Sequence, residues 1–99
     1  MVFNNITYEY TIKVNDEEFC YENLKEAKKH AKELVKSKVN FTAYIKNYKG
    51  VHPNVTVKYA KVISYKDGLY TFYNAPNFNL FRKFNTYQNS LINICNKYS

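Results

Sequence analysis

Five lysines, Lys25, Lys28, Lys29, Lys32 and Lys36, recur within twelve positions of this chain. At about 100° per residue, a helix would place Lys25, Lys29, Lys32 and Lys36 inside an arc of about 60°, with Lys28 beside it. Ammonium groups aligned on one flank make a ridge that can track a phosphate backbone, because each contact releases condensed counterions. The same helix would carry Glu26, His30, Glu33 and Ser37 on a second flank. Glu–Lys neighbours such as Lys29 with Glu33 also fit an ordinary solvated helix face. The ridge is therefore a candidate, to be weighed by what surrounds it.

A second constellation has strand spacing. Tyr44, Lys46 and Tyr48 alternate on one face, and Lys58 and Tyr70 are expected to join them from neighbouring strands. Tyrosines between lysines can stack bases while the ammoniums hold the backbone. Tyrosine also suits a half-exposed strand and pairs well across it.

Catalytic and metal chemistry find little support. His30 and His52 are the only histidines, and Cys20 and Cys95 the only thiols. None stand at the short spacings that hold zinc. Cys95 falls beside an apolar stripe and reads as a small core residue. His52 lies in Val51-His52-Pro53-Asn54, a loop sequence with no catalytic neighbour. Asp16, Glu17 and Glu18 sit at a turn, where solvation explains them. Gly50 and Gly68 are too few for a phosphate-cradling loop. We expect a non-enzymatic protein with no cofactor, no metal site and two free thiols.

These side chains need elements to position them. Ile6, Tyr8, Tyr10, Ile12 and Val14 alternate with polar residues, which predicts a strand over 6–14. Asn15-Asp16 supplies turn chemistry before a short strand over 17–21. Asn23 with Glu26 has the form of a capping box. From it Leu24, Ala27, Ala31, Leu34 and Val35 repeat at helical spacing, to an end near Ser37 or Lys38. Val39, Phe41, Ala43 and Ile45 predict a third strand, with a loop over 50–54 behind it. Over 55–65 the apolar positions switch from odd to even and back, which predicts a bulge or twist. Asp67-Gly68 is a type I′ hairpin signal leading into a strand over 69–73. Pro76 ends the sheet pattern, and Asn77 or Asn79 can cap a last helix. Its stripe is Leu80, Phe84, Tyr87, Leu91, Ile94 and Tyr98.

The order β-β-α-β-β-β-α predicts an α+β fold, with a mainly antiparallel sheet and helices packed on one face. From the first helix onward it resembles the double-stranded-RNA-binding domain in element order. The basic cluster which that family carries at the start of its last helix is reduced here to Arg82 and Lys83, and an extra hairpin precedes the shared part. No residue role transfers.

At 99 residues, 45% hydrophobic and 23% charged, the chain fits one domain spanning 1–99. Its formal charge of +7 is uneven, with acids concentrated before Leu24 and eleven lysines between Lys25 and Lys66. No stretch is apolar enough to cross a membrane, and the first ten residues lack a signal-peptide pattern, so a cytoplasmic location is expected. Two functional classes follow. One is a basic binding module contacting nucleic acid or a nucleic-acid-loaded complex through the Lys ridge and the Tyr/Lys sheet face. The alternative is a protein-binding inhibitor or adaptor of mobile-element type, acting on host machinery through an acidic partner surface.

Overall fold

A computed structural model describes residues 6–51, 53–75 and 83–98. The elements are β1 (Ile6–Val14), β2 (Glu17–Tyr21), α1 (Leu24–Lys36), β3 (Phe41–Val51), β4 (Asn54–Lys66), β5 (Leu69–Phe72) and α2 (Phe84–Tyr98). The strands form one antiparallel sheet in the order β2-β1-β3-β4-β5. It is a single small α+β domain in the predicted element order.

Turn chemistry sets the ladder. Asn15 takes φ 55° in the first hairpin; Asp67 (φ 53°) and Gly68 (φ 81°) supply the two positive values of a type I′ turn. The loop expected over 50–54 is shorter than predicted, because β3 continues to Val51 and β4 begins at Asn54. Gly50 makes that approach possible. Its φ is 118°, and a Cβ there would run into the Asn54 carbonyl oxygen. His52, Leu80, Arg82 and the cap candidates Asn77 and Asn79 lie outside the described residues.

The bulge falls in β4. Ala43 pairs with Ile63 but Tyr44 pairs with Lys61, so Val62 is the extra residue. Val62 and Ile63 are consecutive and both completely buried, at the point where the extra residue lets β4 exchange its two faces. Before the bulge, Val57, Tyr59 and Lys61 share a face with Tyr48, Lys46 and Tyr44. After it, Ile63 and Tyr65 turn to the core.

Both helices lie on that core face, α1 toward β1 and β2, α2 toward β4 and β5. Asn23 starts α1 by accepting a 2.8 Å hydrogen bond from the Lys25 amide. Ala27, Ala31 and Val35 form its fully buried line and belong to one core cluster with Tyr10, Ile12 and Ile45 of the sheet. Leu34, expected in the core, is only half-buried, because it falls about 100° around the helix from Val35 and packs on the margin. On α2 the buried residues are Phe84, Tyr87, Leu91, Ile94 and Cys95. Tyr87 packs edge-on against Tyr10 at 4.9 Å between ring centres and donates to the Thr11 carbonyl at 3.4 Å. Tyr98 departs from the predicted stripe and stays half-exposed.

Candidate functional site

The α1–α2 seam turns the Lys ridge into one wall of a groove. A concavity of about 440 Å³ is lined by Lys25, Lys28, Lys29 and Lys32 of α1, and by Ser90, Asn93, Ile94, Lys97 and Tyr98 of α2. Among the described residues no Asp or Glu lines it. Sequence arrangement explains this: α2 contains no Asp or Glu, and Glu26 and Glu33 of α1 turn to the other flank, lining an adjoining hollow with Tyr21, His30 and Lys29. In that hollow the Tyr21 hydroxyl and His30 Nδ1 are 2.9 Å apart, and Phe19 meets the imidazole edge-on.

At one end of the groove, three ammonium groups converge on a single ring. Lys32, Lys36 and Lys97 place Nζ at 4.9, 5.2 and 5.4 Å from the Tyr98 ring centre. Attraction to the ring face holds each of them. The three nonetheless stand within about one Debye length of each other, roughly 8–10 Å, so their repulsion is incompletely screened. The Lys32 ammonium beside the Tyr98 hydroxyl, reinforced by Lys97, draws that phenol below its ordinary pKa. The local potential is thus positive, and the chemistry the groove favours is capture of an anion.

The open sheet face carries Tyr44, Lys46 and Tyr48 together, as their alternation requires. Lys58 does not join them: it pairs with Asn47, which puts it on the opposite face. Tyr70 pairs with Tyr65 and packs against the core. The unbroken register from the Val51–Asn54 turn sets the face of Lys58, the bulge beyond Lys61 sets that of Tyr70, and Tyr59 and Lys61 take the places expected for them. Tyr44 and Tyr59 meet edge-on at 6.1 Å.

This face also carries acids. Lys46 is ion-paired with Glu18 and sits opposite Glu9 in the β1–β3 register. The Lys46 hydrogen bond holds the Glu18 carboxyl below the usual range, and Glu18 in turn raises Lys46. Tyr48 donates to Glu9 at 3.1 Å, and its phenol is pushed up by burial and by that carboxylate. An ammonium already neutralised by a carboxylate releases few counterions when a phosphate arrives. The sheet face is therefore a poorer polyanion platform than its Tyr/Lys alternation promised.

The five ridge lysines were legible in the sequence; Lys97 and Tyr98 were not. In the sequence Lys97 is a lone base, and Tyr98 falls on the period of the apolar stripe. Only side-by-side packing of the helices brings them to the ridge.

Among the described residues, no group of three His, Cys, Asp or Glu side chains is placed to hold a metal, and no helix is long and apolar enough to cross a membrane. No family model, curated protein or solved structure matches the chain. The resemblance to the double-stranded-RNA-binding domain therefore stays one of element order.

Proposed function

We propose that the protein is a non-enzymatic basic binding module that holds a nucleic-acid backbone, free or within a nucleoprotein complex, in the groove between α1 and α2. The observation that carries this reading is the groove with Lys25, Lys28, Lys29 and Lys32 along one wall and Lys97 on the other, and no Asp or Glu among its described lining residues. A repeating polyanion satisfies a line of ammonium groups better than a folded acidic surface, whose carboxylates are interspersed with bases. That difference favours nucleic acid over the protein-binding inhibitor or adaptor for this site. Lysine offers point charges without the planar fork of arginine, so recognition follows the backbone and ignores base sequence.

The test is fluorescence anisotropy with labelled single-stranded and duplex oligonucleotides, comparing the parent with Lys97→Gln. Lys97 belongs to the groove but not to the α1 ridge. Its loss should flatten the slope of log K against log salt by about 0.7 on single strands or about 0.9 on duplex. A parent that binds neither oligonucleotide at low salt contradicts the reading. A Lys97→Gln slope equal to the parent's restricts any interface to α1 alone.

A further inference from the structure

We propose that the outer edge of β4, from Asn54 to Lys61, is a strand-addition site that takes an extended acidic peptide segment of a partner protein. This surface is separate from the helical groove and does not depend on the nucleic-acid reading.

The sheet's edges are unequal. β5 pairs with β4 only from Ile63 to Lys66, and Tyr73 extends that contact to the Val62 carbonyl. Among the described residues no strand pairs with the outer side of β4 over Asn54–Lys61, a stretch of about 27 Å at roughly 3.4 Å per residue. Every second residue of an antiparallel strand directs its N–H and C=O to the outer side, so the stretch offers a row of backbone donors and acceptors. Short edges are the usual protection against such pairing. β2 and β5, the outer strands, have five and four residues, whereas β4 has thirteen.

Side chains along the stretch fit a ligand. All residues from Asn54 to Tyr59 are exposed, so neither helix covers them. Val55, Val57 and Tyr59 are 44%, 47% and 67% exposed on one face, a period-two apolar row of the kind that gives an added strand its side-chain contacts. Charge selects among possible occupants. The stretch itself carries Lys58 and Lys61 and no Asp or Glu, and Lys61 shares the face of the apolar row. A second copy would set lysines beside lysines, whereas a segment alternating acidic with apolar residues complements both the charge and the row.

The probe is an octapeptide alternating Glu with Val, titrated into the whole protein while backbone amides are followed by NMR and hydrogen exchange. Its control is the same peptide with every amide N-methylated, which keeps charge and side chains but removes the donors. The expected result is that the parent peptide binds, the control does not, and exchange slows at alternate residues within 54–61. Val57→Asp combined with Tyr59→Asp should weaken peptide binding about tenfold or more while circular dichroism still reports the folded sheet. Replacing Lys25, Lys29, Lys32 and Lys36 by Gln should leave peptide binding in place, which separates this site from the groove. The proposal is overturned by no binding at about 1 mM peptide, by equal binding of the N-methylated control, or by protection on β2 or β5 instead. A concentration-dependent dimer broken by the double Asp variant assigns the edge to a second copy and also overturns it, as does an oligonucleotide that protects these amides when the peptide does not.

Discussion

The Gln88 side chain on α2 donates to the carbonyl of Val62, the bulge residue of β4, at 3.0 Å. The same amide nitrogen reaches the Tyr73 carbonyl at 2.6 Å. A bulge interrupts the ladder and needs outside partners for its backbone groups. Gln88 supplies one from the helix above, which ties α2 to the place where β4 changes face.

Gln88→Ala should therefore destabilise by about 1 kcal/mol, since the Tyr73 carbonyl loses this donor while the Val62 carbonyl keeps the Tyr73 amide. Urea unfolding followed by circular dichroism measures this. A loss indistinguishable from zero would show that water replaces the amide without cost.

The two leucines of the helical cores should respond differently. Leu91 is completely buried, and Leu91→Ala should cost about 2–5 kcal/mol. Leu34 sits on the core margin, so Leu34→Ala should fall clearly below that range. Equal losses from thermal melts of the two variants would contradict the placement of Leu34.

Cys20 is exposed and Cys95 buried, and both are free thiols. Alkylation of the native protein should add one group, at Cys20, and denaturant should expose the second site. A native mass lacking both adducts, together with a disulfide-linked peptide, would contradict the structure.

Burial pushes the Cys95 thiol up from 9.0 to about 11, and burial likewise raises the Tyr87 phenol. Each group is neutral when protonated, so between its unfolded and folded pKa the folded state keeps a proton that the unfolded chain releases. Stability from Cys95 is then intact below about pH 9 and lost as pH rises toward about 11. Urea midpoints should fall across that window, and Cys95→Ala should remove part of the slope. A midpoint that holds constant or rises there would contradict the sign.

Much of this fold is local, and therefore legible. Ile6–Val14 announced β1 by alternation, Asp67-Gly68 announced its hairpin by turn chemistry, and the phase switch over 55–65 announced the bulge. What the sequence could not show was the register at the Val51–Asn54 turn and the bulge's exact position, which together decide which β4 side chains share a face. Lys58 is expected beside Tyr44 and Lys46, and one residue of register sends it to the other side. The groove was half legible. Periodicity aligned the α1 lysines, but the pairing of α1 with α2 is long-range, so Lys97 and Tyr98 carried no local signal. Glu18 reads from the sequence as a solvated turn acid, and its contact with Lys46 carries no local signal because it needs β2, β1 and β3 in register.

The groove as a polyanion site is tested most directly by the salt dependence of oligonucleotide binding in the parent and in the variant with Lys25→Gln, Lys29→Gln, Lys32→Gln and Lys36→Gln combined. Lys25, Lys29 and Lys36 are exposed and Lys32 is half-buried over the Tyr98 ring, so circular dichroism should match the parent's and the melting temperature should fall only slightly. The slope of log K against log salt should flatten by up to roughly 3 to 4 units, by a similar amount on unrelated sequences. A parent that fails to bind at low salt, or a quadruple variant that keeps the parent's slope, would contradict the account.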